Sequence, residues 1–424
     1  MSDSRIVELS TRIAANTGKV NDYLASHNLP RPSFDLDGPV KSLIYNGEPD
    51  IAVARQAVIH DCRELRELML GPKDHLVSYR HNELLSQHVI LRFRLAEAFP
   101  IGGETTFADL AAATGLNETH VRKILRHAIT QHIFCEPRPG VVAHTAASRL
   151  LVEDKGLYNW LRFSTDDLWR AACYTGDAMA KFPGSEEPNE TGYALSNQTD
   201  KDMFRFFSEN PERAERFAAA MRFFTERPGL EPHHVVNNYP WNEIREGGTI
   251  VEVGGSHGII CIDLARRFKG LQFVVQDLDE PVIRDAERQR PTELADRVQY
   301  MVHDFFNEQP VHGADVYFLR AVLHNWSDKY AVKILRNLIP ALKPGAKIVL
   351  NETVIPEPKD VPREQELRLR ANDLVMIELQ NGDDREMGGW EKLFAKAHRG
   401  FRFHGGKQPP GSALWILEAE WMGE

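Results

Sequence analysis

The sequence predicts a doubly wound α/β domain in its C-terminal part, preceded by an all-α region that contains a winged helix. After residue 248, short apolar runs alternate with helical segments, as expected for the strands of a parallel sheet that is covered on both faces. The first run ends in a glycine-rich turn at 254–258, and residues 105–148 read as helix, turn, helix and hairpin. We therefore divide the chain into residues 1–150, 151–240 and 241–424.

Composition and charge limit the class of protein. Of 424 residues, 42% are hydrophobic and 26% are charged, which is typical of a globular chain with an ample core. The net charge of −10 disfavours a protein that binds nucleic acid, for which a basic surface is expected. No apolar secretion segment opens the sequence, and no run of about 18 apolar residues could span a membrane. We expect a cytoplasmic protein with no membrane partner.

The cysteines do not predict a metal centre. They are too far apart in the sequence for a CxxC pair or a zinc-ligand spacing, so we expect reduced thiols and no bound metal. These residues are Cys62, Cys135, Cys173 and Cys261.

Residues 1–150 are predicted to form helices that pack against a second copy of the chain. Apolar residues recur at helical spacing, for example at Ile6, Leu9 and Ile13, over more surface than one small core requires. This surplus favours a homodimer. In the winged helix, Asn117 is expected to cap the second helix. The outer face of that helix offers only a few basic residues beside Glu118, which favours packing over DNA binding. They are Arg122, Lys123 and Arg126.

Within the segment 151–240, residues 156–225 are helical and aromatic but are interrupted by a polar loop at 183–200, and a cluster of Pro and Asn at 227–240 marks a domain boundary. Large aromatic side chains can line an apolar pocket. We expect the pocket for a small-molecule substrate to draw on this segment and on the C-terminal domain. The candidate substrate residues are Trp169, Met221, Phe224, Trp326 and Met376.

The turn after the first predicted strand favours a nucleotide-like ligand. It reads VEVGGSHG at 251–258, where glycine lets the backbone approach a ligand and the next helix offers free amides. Ser256 takes the place of the second glycine of GxGxxG, which disfavours a dinucleotide site. The turn also matches the GxSxG of α/β-hydrolases, but the strands and oxyanion segment that should precede it are missing. A hydrolase is therefore disfavoured.

Polar residues follow at the ends of the next predicted strands. Asp277 ends the second strand, where a carboxylate can accept both hydroxyls of a ribose. Asp304 and Phe305 follow the third strand, where an adenine amine and its ring face would lie, and Arg320 and His324 follow the fourth. The carboxyl ends of parallel strands form the ligand crevice of an open α/β sheet. The predicted strands lie at 249–253, 271–275, 298–302, 316–319, 346–350 and 413–418.

In order and spacing, these motifs resemble those of the winged-helix O-methyltransferases that use S-adenosylmethionine, a class shared by plant phenolic and fungal secondary-metabolite enzymes. The resemblance extends over nearly the whole chain and implies a Rossmann-like catalytic domain. It implies that His324 is the base, flanked by Glu352 and by Asp384. Asp384 is one methylene shorter than the usual glutamate, so we expect it to contribute less than Glu352. The implied cofactor residues are Glu252, Gly254, Gly255, Gly258, Asp277, Leu278, Asp304, Phe305 and Arg320.

The chemistry implied by the resemblance is proton removal coupled to methyl transfer. A phenol with a pKa near ~10 is protonated at neutral pH, so an imidazole with a pKa near ~6.5 can accept its proton as the oxygen attacks the methyl group. Glu352 is expected to fix the tautomer of His324 and to stabilise the imidazolium. The substrate would be an aromatic or polyketide-type molecule, and no metal is required.

Two other functions stay open at the level of sequence. Some relatives of the fungal branch use S-adenosylmethionine only as a positive charge and catalyse dehydration or a pericyclic reaction. His144 and Arg320 would then contact a substrate carbonyl. A transcription regulator with a ligand-binding domain is also conceivable from the winged helix, but the net charge argues against it.

Overall fold

The computed structural model describes residues 4–41, 48–77 and 79–423. The chain divides into two compact units, the first formed by Met1–Trp169 and Glu212–Phe224 and the second by Arg170–Pro211 and Thr225–Glu424. The segment predicted at 151–240 is thus shared between the two units. Within the described ranges, none of the helices combines the length and the apolar character that crossing a bilayer requires.

The helices are α1 (Arg5–Ser26), α2 (Pro49–Leu76), α3 (His81–Arg92), α4 (Phe107–Thr114), α5 (Glu118–Ile129), α6 (Ala146–Glu153), α7 (Lys155–Phe163), α8 (Trp169–Lys181), α9 (Gly192–Asn197), α10 (Met203–Ser208), α11 (Pro211–Thr225), α12 (His233–Asn238), α13 (Ile259–Arg267), α14 (Glu280–Gln289), α15 (Asp328–Leu338), α16 (Arg363–Gln380) and α17 (Met387–Ala397). The strands are β1 (Glu104–Thr106), β2 (Phe134–Arg138), β3 (Val141–His144), β4 (Thr249–Val253), β5 (Gln272–Asp277), β6 (Val298–Val302), β7 (Val316–Arg320), β8 (Lys347–Glu352), β9 (Phe401–Lys407) and β10 (Trp415–Trp421).

The first unit contains the predicted winged helix. The side chain of Asn117 accepts the amides of Thr119 and His120, so it caps α5 as expected. Strands β1, β3 and β2 form a small sheet in that order beside α4 and α5. Two of the three basic residues of α5 are paired with carboxylates, Arg122 with Glu118 and Arg126 with Glu136.

Helix α11 belongs largely to the first unit although it lies far along the chain. Arg213 and Arg216 of α11 pair with Asp167, and Arg216 also lies 3.3 Å from Asp166. Both aspartates lie in a π-helical turn, Ser164–Leu168, between α7 and α8. A π-turn offsets side chains from the regular helical register, and here both carboxylates face the arginines of α11. These ion pairs anchor α11 in the first unit.

The second unit is built on a mixed sheet in the order β6, β5, β4, β7, β8, β10, β9. The first five strands of this order are parallel, and β10 runs antiparallel to both of its neighbours. The doubly wound α/β class is confirmed. Strand β9 was not predicted, because FRFHGGK contains two glycines and lacks a continuous apolar run.

The register of the parallel strands gathers the predicted site residues at one edge. Asp277 lies opposite Val302, and Arg320 lies opposite Asn351. Glu352 is the last residue of β8. The carboxyl ends of β4, β5, β7 and β8 therefore meet at the crevice where an open α/β sheet binds its ligand.

Candidate active site

The glycine turn after β4 is held in a conformation that only small residues allow. Gly258 has a φ of +68°, and a Cβ placed on it would lie 2.6 Å from Val275 Cγ2. A Cβ on Gly255 would lie 2.6 Å from Cγ of Glu252. The turn thus needs glycine at both positions. Gly254 also has a positive φ, of +72°.

Asp277 is connected to the glycine turn. Its Oδ2 accepts the amide of Ser256 at 2.9 Å, and its Oδ1 accepts the amide of Asp279 at 3.2 Å. The Gly255 amide donates to the carbonyl of the preceding residue, Gln276, at 2.9 Å. Burial raises the pKa of Asp277, although the amide hydrogen bonds partly offset this effect. Asp277 therefore lies beside the turn, as a ribose-binding carboxylate must.

Glu252 and Arg320 place buried charge behind the turn. Glu252 is 3% exposed, and within the described ranges its Oε2 has no hydrogen-bond partner. Burial raises the pKa of Glu252 to about 7, while a hydrogen bond with Cys261 and the charge of Arg320 act in the opposite direction. Burial also lowers the pKa of Arg320, against the charges of Glu252 and Glu352. Arg320 Nη2 donates to the carbonyl of Leu230.

The residues predicted to contact adenine lie at the end of β6. Asp304 Oδ1 accepts the amide of Phe306 at 2.9 Å, which fixes the direction of this loop. The ring of Phe305 packs edge-on against Trp326, with centroids 6.0 Å apart. Leu278, at the end of β5, is 62% exposed. A large apolar side chain this exposed is available to a ligand surface.

His324 forms a pair with Asp384. Its Nδ1 lies 3.2 Å from Asp384 Oδ1, and the Asp384 side chain is fully buried while that of His324 is 17% exposed. A carboxylate accepts, so Nδ1 carries the proton and Nε2 presents a lone pair. Asn372 Nδ2 donates to Asp384 Oδ2 at 3.3 Å, and Asp373 Oδ1 accepts the Asp384 amide at 2.9 Å. Asp384 is therefore oriented toward the imidazole by α16.

The roles expected for the two flanking carboxylates are exchanged. Glu352 does not hydrogen-bond the imidazole: its Oε1 accepts the amides of Val322 and Leu323 at 2.9 and 2.8 Å, and its Oε2 has no partner in the part of the chain that the structure describes. Asp384 is the residue that reaches the ring. The expectation that Glu352 fixes the tautomer of His324 is therefore wrong, because its carboxylate is turned toward the backbone that precedes the histidine.

Both carboxylates nevertheless influence the imidazole electrostatically. Burial by itself would lower the pKa of His324, but the charge of Glu352 and the hydrogen bond and charge of Asp384 outweigh it, and the pKa is raised. Burial raises the pKa of Glu352. Glu352 and Asp384 together thus favour the imidazolium form of His324 that proton transfer would create.

The candidate substrate residues are divided between the units. In the second unit, Trp326 is 6% exposed and packs on Phe306 with ring centroids 4.7 Å apart, and Met376 lies on α16. In the first unit, Phe224 of α11 packs on Trp160 with ring centroids 5.1 Å apart. Trp169, the first residue of α8, also belongs to that unit, and its ring lies edge-on to His88 of α3 with centroids 6.2 Å apart. Met221 is half-buried on α11.

His144 is part of the winged-helix core. Its Nδ1 lies 3.0 Å from Ser148 Oγ, its Nε2 lies 3.4 Å from the carbonyl of Phe99, and it stacks on the Phe99 ring. Burial lowers the pKa of His144, although the hydrogen bond to the Phe99 carbonyl partly offsets this effect. These contacts use both nitrogens of His144, so this ring is engaged within the core of the first unit. Arg320 donates one hydrogen bond, from Nη2, to a main-chain carbonyl.

Residues 186–190 are hydrogen-bonded to both loops of the histidine–aspartate pair, a connection that was not predicted from the sequence. These are the loop between β7 and α15, which carries His324, and the loop between α16 and α17, which carries Asp384. Ser327 Oγ donates to the carbonyl of Glu186 at 2.9 Å, and Asn381 Nδ2 donates to the carbonyls of Glu187 and Glu190 at 2.8 and 3.2 Å. Ser327 and Asn381 also line a cavity of about 310 Å³. The 183–200 region reads as a polar loop in the sequence, and only its contacts show this connection.

His60, Asp61 and Glu64 of α2 form a group of possible metal ligands that the sequence did not predict. Arg12 lies 2.9 Å from Asp61, and Arg5 lies 2.7 Å from Glu64. The arginines already neutralise these carboxylates, and we assign the group no function.

A glycine turn, a carboxylate beside it and a nearby histidine–aspartate pair lie together at the crevice edge of this doubly wound α/β sheet. The profile of the O-methyltransferase domain family matches residues 188–402. O-methyltransferase AMT9 of Alternaria alternata is 40% identical over 99% of this chain and 98% of its own length. Chlorophenol O-methyltransferase of Trichoderma longibrachiatum is 36% identical over 99% and 91%.

Similar solved structures share the fold. OxaC is 20% identical, with a TM-score of 0.77 over 99% of this chain and 100% of that chain. A pericyclic reaction enzyme is 21% identical, with a TM-score of 0.68 over 90% and 97%. The chain belongs to the O-methyltransferase family. It is an O-methyltransferase, and its cofactor is S-adenosylmethionine, which confirms the family, fold and cofactor predicted from the sequence.

The geometry predicts that Asp384 controls the pKa of His324. We expect a titration of the imidazole by NMR to give a pKa above the usual ~6.5 in the wild-type protein and a lower one in Asp384→Asn, which lacks the carboxylate charge. The raised pKa also predicts that the protonated imidazole stabilises the fold below pH ~6.5, and that this contribution is lost as pH rises through the folded-state value. Glu386→Gln, which removes an exposed carboxylate two residues further along the same loop, is the matched control, and an unchanged pKa in Asp384→Asn would contradict the assignment.

Proposed function

We propose that this O-methyltransferase methylates a hydroxyl of an aromatic or polyketide-type secondary metabolite, with His324 as the general base. The observation that carries the proposal is the hydrogen bond of His324 Nδ1 to buried Asp384, since it leaves Nε2 as the proton acceptor. Nε2 takes the hydroxyl proton, Asp384 holds the imidazolium, and the charge of Glu352 stabilises it. General-base assistance of this kind contributes about 10² to 10⁴ in rate.

The residues around the glycine turn fit S-adenosylmethionine. Glycine at 255 and 258 lets the backbone of the turn pack directly on Glu252 and Val275, and the buried Oε2 of Glu252 has no partner among the described residues, so the turn offers an unused acceptor. We assign the ribose to Asp277, the adenine to Asp304, Phe305 and Leu278, and the methionine part to Arg320 and Glu252. When bound, this cofactor supplies an electrophilic methyl group, and the protein supplies orientation and the base.

The acceptor class rests on the chemistry of the base and on the aromatic candidate residues. A phenol requires deprotonation near neutral pH, and one relative with 36% identity is named for a chlorophenol. We expect methyl-labelled cofactor to transfer its label to a hydroxylated aromatic compound in an acceptor panel. Label that stays on the cofactor while the acceptor is consumed would contradict methyl transfer.

The first prediction on activity concerns His324. His324→Ala should lower kcat by about 10² or more at neutral pH while cofactor affinity changes little. Raising the pH toward the acceptor's own pKa should restore part of the activity, because a phenolate needs no base. His312→Ala, an exposed histidine of the same unit, is the control. Full activity of His324→Ala on the true acceptor would overturn the assignment.

The second prediction concerns Asp277. A charge-assisted contact to ribose hydroxyls contributes about 1.5 to 3 kcal/mol, so Asp277→Ala should weaken binding of S-adenosylhomocysteine by roughly tenfold or more. Titration calorimetry measures this. Asp296→Ala removes an exposed carboxylate of the same unit and should leave the affinity unchanged; equal affinities in all three proteins would contradict the ribose assignment.

The third prediction is a homodimer formed through the N-terminal helices. Large apolar side chains are exposed on α2, among them Val53 at 68%, Met69 at 72% and Leu76 at 80%, and such surfaces usually mark an interface. Sedimentation should give a dimer that Met69→Glu dissociates, whereas Met422→Glu in the second unit should not. A wild-type monomer at all concentrations would refute the proposal.

We also propose that the protein is located in the cytoplasm, and cell fractionation tests this proposal.

A further inference from the structure

We propose that Arg385 is a positioning residue that holds both loops of the histidine–aspartate pair in place, an inference that rests on the proposed role of His324 as the base. Arg385 follows Asp384 directly in the chain and contacts the backbone on both sides of His324. Its side chain is 1% exposed.

The guanidinium of Arg385 is bonded in several directions. Its Nη1 donates to the carbonyls of Leu323 and Asp383 at 3.1 and 3.0 Å, and its Nη2 donates to the carbonyl of Trp326 at 2.8 Å. Its Nε donates to Asp328 Oδ1 at 3.0 Å. The bonded carbonyls at 323 and 326 straddle His324, and the one at 383 precedes Asp384. One side chain therefore joins the two loops whose side chains form the catalytic pair.

Burial makes this arrangement sensitive to change. A buried guanidinium is tolerated only when its donors are satisfied and its charge is balanced. Here four of the five N–H donors of an arginine are used, and Asp328 at 3.0 Å and Asp383 at 3.7 Å supply the counter-charge. The ring of buried Trp390 lies 5.1 Å from the guanidinium carbon. A lysine would keep the charge but not the planar fork that reaches three carbonyls and a carboxylate at once.

The same residue also acts on the imidazole electrostatically. Burial and the positive charge of Arg385 both oppose the protonation of His324, whereas the charges of Glu352 and Asp384 favour it. Loss of the fork and loss of the charge should therefore have different signatures. Loss of the planar guanidinium of Arg385 should displace His324 from its place in the site. Loss of the positive charge of Arg385 should raise the pKa of His324 further.

The experiment compares Arg385→Lys with Arg336→Lys. Arg336 of α15 also caps backbone carbonyls, those of Ala397 and Lys396 at 3.0 and 2.9 Å, but none in the two loops. Because small displacements of a catalytic group cost about 10²-fold, we expect Arg385→Lys to lower kcat by about 10- to 100-fold. Acceptor KM and affinity for S-adenosylhomocysteine should change by less than about threefold, and Arg336→Lys should keep the wild-type kcat.

A charge-removing variant provides the readout that a merely structural role would not move. In Arg385→Met the pKa of His324, measured by NMR, should rise above the wild-type value, whereas in Arg385→Lys it should stay near it. This titration does not depend on activity. If His324→Ala keeps full activity, the proposed function fails whatever Arg385 does; if His324→Ala is inactive but Arg385→Lys has wild-type kcat, only the present inference fails.

Asp328→Asn covers the case in which Arg385→Lys does not fold. It removes the carboxylate that orients Nε and leaves the carbonyl contacts, so we expect a smaller loss of kcat, about three- to tenfold, with a thermal midpoint that shows a folded protein. A folded Asp328→Asn with kcat within twofold of wild type, or an equal loss in Arg336→Lys, would overturn the proposal.

Discussion

The candidate active site depends on the buried carboxylate of Glu352. One of its oxygens accepts the amides of Val322 and Leu323, where the chain leaves β7 through Ala321 with a φ of +50°. An L-residue adopts this backbone only when its surroundings hold it there. Glu352 therefore fixes the turn that brings His324 to the sheet edge, and its charge acts on the imidazole from the same position.

The cofactor half of the site is fixed by the parallel sheet in a comparable way. Gly255 donates to the carbonyl of Gln276, and the side chain of Asp277 accepts the amide of Ser256, so the first βα turn is bonded to the end of the neighbouring strand. The side-chain amides of Gln276 and buried Gln309 form two reciprocal hydrogen bonds, of 2.8 and 2.9 Å. A fully satisfied buried polar pair gives the strand a single register, and this register places Asp277 at the turn.

Charge alternates across the crevice. Arg320 interacts electrostatically with Glu252 on the cofactor side and with Glu352 on the side of the base, and Arg385 lies behind the loop that carries His324. Each buried carboxylate thus has a cation or backbone amides nearby, as burial of charge requires. The two halves of the proposed reaction, cofactor binding and proton removal, share this buried network, and the side chain of His324 keeps 17% of its surface exposed.

The sequence alone determined the features that depend on local patterns: the apolar runs of the parallel strands, the cap at Asn117, the glycine turn and the order of polar residues at the strand ends. Apolar periodicity and backbone conformation act over a few residues, so they can be predicted without a structure. Only the tertiary structure decided that Asp384, rather than Glu352, meets the ring of His324. It also decided that His144 belongs to a core and that Arg385 joins two loops. The contacts of Asp384 with His324 and of Arg385 with Leu323 link residues about 60 positions apart, where the separation and direction of side chains are set by packing of whole elements rather than by neighbouring residues.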